Sequence, residues 1–122
     1  IRMFFKLMPD KMCVISDSME AAGLPDGKYM LGGMDVDVKN GKATLADGTI
    51  AGSTADMFSE IKNLIKFGIP KETAVLASTY TPALSIGMEE ETGSIKEGKS
   101  ADILLVDKDW NLEFTMVSGH RI

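Results

Sequence analysis

Three places in this sequence carry groups that can do chemistry. The first is Asp17, one residue past the nearly continuous apolar run Lys11-Met12-Cys13-Val14-Ile15-Ser16. A carboxylate just beyond the carboxyl end of a strand can serve as a general base or acid towards a ligand seated there. The same side chain can instead be an ordinary loop aspartate, accepting hydrogen bonds from the amides of Met19 or Glu20. Spacing alone leaves both open. The second place is Ile50-Ala51-Gly52, read as preceding a helix start, where backbone amides can face an anionic or polar ligand. Its plain alternative is a turn from strand to helix. The third is a pair of lone residues. Cys13 shares strand parity with Asp17 and reads as a small buried side chain, and His120, in a terminal hairpin, reads as a surface residue. Glu89-Glu90-Glu91 reads as a solvated loop.

Composition limits what these residues can be asked to do. The chain has 122 residues, 13 Lys+Arg against 18 Asp+Glu, a formal charge of −5, one His and one Cys. That length makes one domain of ordinary size, and 44% apolar residues suffice for a core. A single Cys excludes an internal disulfide, and a single His excludes a self-contained multi-histidine metal site. Acidity without a basic tract argues against nucleic acid as a partner. No apolar run approaches the roughly 20 residues needed to cross a bilayer, so no membrane partner is expected. Without a basic stretch followed by an apolar one, the expected location is cytoplasmic.

The elements that position these groups follow from periodicity. Arg2 to Met8 is apolar nearly all round and stops at Pro9-Asp10, which reads as the end of a helix that starts further upstream. Met12 to Ser16 suits a strand buried on both faces. Lys28 to Leu31, Asp35 to Lys39 and Lys42 to Leu45 are strand candidates. Apolar and acidic residues alternate through Met34-Asp35-Val36-Asp37-Val38. Asn40-Gly41 signals a tight hairpin and Asp47-Gly48 another turn. Met57, Phe58, Ile61, Leu64 and Ile65 then recur at helical spacing, with Ser53 or Thr54 as the cap, Asp56 in the first turn and Gly68 past the end. Pro70 opens a second helix to about Thr79, and Pro82 and Gly87 bracket one or two further turns. Ile103 to Val106 and Leu112 to Val117 are strands, turned by Asp107-Lys108-Asp109, and Ser118-Gly119 turns into His120-Arg121-Ile122. The two β-rich blocks flank the helices and are expected to meet in one small sheet assembly.

Three stretches, taken in order, resemble a known family: Val14 to Gly27 (VISDSMEAAGLPDG), Gly41 through Leu45-Ala46-Asp47-Gly48-Thr49-Ile50-Ala51-Gly52-Ser53, and Gly93 to Asp107 (GSIKEGKSADILLVD). They resemble the carboxyl-terminal portion of the N-acetylglucosamine-6-phosphate deacetylases, within the amidohydrolase superfamily. The third stretch is superfamily-wide; the first two are closer to the deacetylases. The resemblance implies an α/β fold, the carboxyl-terminal portion of a metal-dependent amidohydrolase: the last strand and helices of a TIM-like barrel plus part of a small β-sandwich. Such a barrel needs about 250 residues, so the chain is expected to be an incomplete fragment. Residues 1–27 would form the last barrel strand and following loop, 28–53 sandwich strands and a substrate loop, 54–88 barrel-associated helices, and 89–122 the terminal sandwich strands.

The implied activity is metal-dependent hydrolysis of the acetamido group of N-acetylglucosamine 6-phosphate to glucosamine 6-phosphate and acetate, in amino-sugar metabolism. Asp17 matches the family's catalytic aspartate, and Ile50, Ala51 and Gly52 match a segment lining the sugar-phosphate site. Ser16 and Ser18 stand where relatives often carry Thr and Ala. A divalent metal of the zinc or iron class would be held by residues outside this chain, so the fragment alone is expected to bind none and to be inactive. A homodimer is implied. The alternatives are another amidohydrolase, a cyclic amidase or deaminase, and a non-catalytic β-rich oligomerisation module. Gly93, Gly98 and Asp102 are expected to serve architecture, Asp102 by accepting hydrogen bonds from loop amides.

Overall fold

Alternating burial in Met34–Lys39 builds the first sheet. Val36 and Val38 point into the core while Asp35 stays exposed, as a period of two demands. In the computed structural model, which describes all 122 residues, this strand (β2) pairs antiparallel with β1 (Gly27–Leu31) and β3 (Lys42–Thr44). Both hairpins turn on two residues with positive φ, Gly32 (57°) and Gly33 (83°), then Asn40 (52°) and Gly41 (68°). Both central residues of a type I′ turn need that region. Asn40-Gly41 was the expected signal. Gly32-Gly33 is an equally direct one between two strand candidates that sequence reasoning passed over. A further strand, β4 (Ile50–Gly52), pairs with β3 and completes the order β1-β2-β3-β4, with a register shift between Ala43 and Thr44. Met19, Ala21, Val36, Val38 and Ala43 form the core on this sheet. Outside it, the Asp26 carboxylate accepts the Asn40 amide at 2.5 Å and Glu20 accepts the Met30 amide at 2.8 Å. Both tie loop residues to the sheet.

The chain divides into two units, Ile15–Ile61 around this sheet, and Ile1–Val14 with Lys62–Ile122. The second contains a separate three-stranded sheet, β5 (Ile103–Val106), β6 (Leu112–Val117) and β7 (His120–Arg121). The strand blocks therefore form two separate sheets. Each has enough consecutive strands to satisfy its own ladder through hairpins. Asp107 makes the β5–β6 turn by accepting the Asp109 and Asn111 amides, both at 2.8 Å. Asp102 accepts the Ser118 amide at 2.7 Å and the Ser100 hydroxyl at 2.8 Å, the architectural role expected of it.

Four helices complete the chain: α1 (Arg2–Leu7), α2 (Met57–Lys66), α3 (Lys71–Ser78) and α4 (Tyr80–Ser85). The α2 cap is Asp56 rather than Ser53 or Thr54. Its carboxylate accepts the Ser59 amide at 2.7 Å and the Ser59 hydroxyl at 2.9 Å, because the helix starts later than the polar residues suggested. Aspartate three residues before serine was the readable signal. At the other end Gly68 takes φ of 84°, its amide reaching the Ile65 carbonyl and that of Ile69 the Leu64 carbonyl. This is the paired closure expected past a glycine-terminated helix, with Leu64 and Ile69 both buried. Pro70 precedes α3 by one residue instead of opening it, and Pro82 lies inside the first turn of α4, where no amide is missed.

The Asp56 cap gives a first prediction. The Ser59 amide bond, the largest influence on Asp56, holds its carboxyl below the ordinary aspartate range. A depressed folded pKa contributes stability that is present above the unfolded value of about 4 and lost as pH falls through the folded one. Asp56→Ala is expected to cost about 1 kcal/mol at neutral pH. In urea titrations the gap from wild type should close below about pH 4; a gap independent of pH would show that the charge contributes nothing.

Candidate active site

Asp17 sits where an irregular extended segment becomes part of the first unit. Residues 12–17 form no strand, which corrects the reading of Met12 to Ser16. A ladder needs a neighbouring strand, and the one backbone bond from Val14 goes to the Ala77 carbonyl (2.8 Å) on α3. Cys13 is exposed, not buried as expected, and Ile15 is 72% exposed, both for want of a neighbour on this segment.

Beyond Ser16 the backbone is fixed. Asp17 adopts φ of +48°, a left-handed conformation that aspartate tolerates better than most residues. Ser18 then forms a parallel bridge with Ser53, and the Met19 amide donates to the Ser53 carbonyl at 2.9 Å. The Ser18 hydroxyl donates to the Ala55 carbonyl at 2.6 Å, and Ser53 Oγ accepts the Ala55 amide at 3.1 Å. The two candidate segments, 35 or so positions apart in sequence, are thereby stitched side by side: Asp17 precedes one end of the bridge and Gly52 the other. Gly52 lies close against this seam: a Cβ there would lie 3.5 Å from Met19 Cβ and 3.6 Å from Leu31 Cδ2, in ordinary van der Waals contact.

The Asp17 side chain is exposed, and no hydrogen bond or ion pair engages its carboxylate. The Met19 amide is spent on Ser53, so the loop-capping alternative is not realised there. Ile50-Ala51-Gly52 differs from its expected setting. It is a strand paired to Ala43 and Thr44, and α2 begins only at Met57, so these amides are not at a helix start. Ile50 is 67% exposed and presents its side chain to solvent.

The donor set does not make a metal centre. No three His, Cys, Asp or Glu side chains gather closely enough to hold an ion, and Cys13 and His120 are each exposed singly. No helix is long and apolar enough to cross a membrane.

Residues 12–122 match the amidohydrolase family, and the chain belongs to it. Among curated relatives, it is 39% identical over 113 residues to the N-acetylglucosamine-6-phosphate deacetylase of Vibrio furnissii, covering 92% of this chain and 28% of that protein. It is 31% identical over 111 residues to the N-acetylgalactosamine-6-phosphate deacetylase of Escherichia coli O157:H7, covering 90% of this chain and 29% of that one. Among solved structures, N-acetylglucosamine-6-phosphate deacetylase from Pasteurella multocida superposes with a TM-score of 0.92 at 32% identity, over 99% of this chain and 32% of its own. The chain thus spans about a third of the length of these relatives.

Proposed function

We propose that this chain is the carboxyl-terminal part of an amidohydrolase that removes the acetyl group from N-acetylglucosamine 6-phosphate. The observation that carries the reading is the Ser18–Ser53 bridge, which sets an unengaged carboxylate at Asp17 beside Ile50-Ala51-Gly52. In this reading Asp17 takes the proton of the attacking water and returns it to the departing amine. Ile50, Ala51 and Gly52 line the sugar-phosphate site, contributing backbone contacts and shape. Likeness to N-acetylglucosamine-6-phosphate deacetylases both in sequence and among solved structures supports the gluco sugar.

Amidohydrolases generally use a divalent metal; here the zinc or iron class is proposed. The residues present do not fit such an ion, so its ligands lie outside this chain and none of the steps above is assigned to it. The segment 12–16 becomes the last strand of a TIM-like barrel when neighbours flank it, residues 28–53 and 89–122 supply sandwich strands, and residues 54–88 the associated helices. The assembled enzyme is a cytoplasmic homodimer.

The test is a chimera in which this chain replaces the matching 28% of the Vibrio furnissii deacetylase. It should release acetate from N-acetylglucosamine 6-phosphate, and do so faster than from the galacto epimer, while the 122-residue chain alone releases none. A folded chimera without acetate release, or one that opens a cyclic amide instead, overturns the reading.

A further inference from the structure

Nothing engages the Asp17 carboxylate, so the backbone that carries it decides where that group stands. That backbone is left-handed at Asp17, a conformation that persists in a residue other than glycine only where its surroundings hold it. On the amino side the restraint is distant: the Val14 amide, three residues earlier, donates to the Ala77 carbonyl. On the carboxyl side two bonds follow at once. The Met19 amide donates to the Ser53 carbonyl at 2.9 Å, and the Ser18 hydroxyl to the Ala55 carbonyl at 2.6 Å. The second acceptor is anchored in turn. The Ala55 amide donates to Ser53 Oγ at 3.1 Å, and the Thr54 hydroxyl donates to the Gly41 carbonyl in the β2–β3 turn. Ser18 therefore clips the residue next to Asp17 onto the segment that leaves Ile50-Ala51-Gly52.

We propose that Ser18 is a positioning residue for the hydrolysis, its hydroxyl holding Asp17 at a fixed setting beside the Ile50-Ala51-Gly52 segment. The proposal rests on the reading of Asp17 as the proton-transfer group and adds the side chain through which its placement is controlled. The attachment at Ser53 is one point, about which the two segments can pivot. The bond to Ala55, two residues further along, is a second point, and two points fix a direction. Without it Asp17 is free to relax from its left-handed backbone, which swings the carboxylate away from its place. Proton transfer is steeply sensitive to such misplacement, so turnover suffers. Substrate affinity, supplied by the contacts of residues 50–52, is left largely alone.

The experiment is acetate release from N-acetylglucosamine 6-phosphate by the Vibrio furnissii chimera. Ser18→Ala should lower kcat by about three- to tenfold, the weight of one ordinary hydrogen bond, with KM within about twofold of the parent. Ser18→Thr, which keeps the hydroxyl, should restore at least about half of the turnover. In an Asp17→Asn background Ser18→Ala should cause no further loss, because a positioning residue has no effect once the group it positions is gone. Parental kcat in Ser18→Ala overturns the proposal, the backbone bridge then sufficing. A loss that Ser18→Thr does not restore, or one that persists in full in the Asp17→Asn background, also overturns it. Gly98→Ala, in the other unit, is the stability control. It should lower the urea midpoint and keep kcat; a matching fall in kcat would mean that turnover merely follows stability, and would count against Ser18. Parental turnover in Asp17→Asn removes the functional reading itself. An inactive Asp17→Asn beside a fully active Ser18→Ala removes only the role given to Ser18.

Discussion

Asp17→Asn in the chimera should lower kcat for acetate release by about 10²–10⁴-fold while leaving KM within a few-fold of the parent. Asparagine keeps the size and tolerates the φ of +48° that the position demands, so the backbone and the neighbouring Ser18–Ser53 bridge should survive. It removes the ability to take up a proton. A residue that only shaped the loop would change KM, stability or neither. Asp17→Glu offers a second reading, because it retains the acid but displaces it by one methylene. Partial activity there, with an altered pH profile, is the signature of a proton-transfer group. Parental turnover in Asp17→Asn would end the assignment, and the exposed carboxylate would become an ordinary loop residue.

Much of the fold could be read because its signals are local. Asn40-Gly41, Asp47-Gly48, Gly68 and Ser118-Gly119 all turn the chain where their backbone freedom places them, and the Val36–Val38 alternation gave the buried face of β2. What escaped depends on distance. Whether Met12 to Ser16 becomes a strand is decided by neighbours, and an apolar run cannot announce that its partners are elsewhere. Asp56 lost the cap to Ser53 and Thr54 on paper because all three are good caps. Tertiary bonds settle the choice: the Thr54 hydroxyl donates to the Gly41 carbonyl, and Ser53 is held by the bridge. The candidate residues themselves were legible only through family resemblance. Their juxtaposition was not legible at all, since nothing in either segment encodes a pairing between Ser18 and Ser53.

Gly93→Ala is expected to be the most damaging single-methyl change in the chain, and Gly98→Ala separates its causes. Both glycines have left-handed backbones, φ of 82° and 87°, and both sit in the stretch that resembles the wider superfamily. A left-handed alanine costs about 1–2 kcal/mol at either. At Gly98 nothing lies within 4 Å of the added methyl, so that cost is the whole effect. At Gly93 the methyl would stand 2.8 Å from Ala83 Cβ and 3.0 Å from both the Thr79 carbonyl oxygen and Tyr80 Cα. Two of those three neighbours are backbone at the start of α4, and Ala83 is buried, so none can swing aside. Overpacking of this kind adds about 1–3 kcal/mol, giving roughly 3 kcal/mol in total for Gly93→Ala. Urea unfolding of the two variants should therefore differ by about 2 kcal/mol, with Gly98→Ala the more stable. Equal losses would mean that α4 yields to the methyl. The glycine at 93 would then be required for its backbone conformation alone, and the close seating of this turn on the helix would have no energetic consequence.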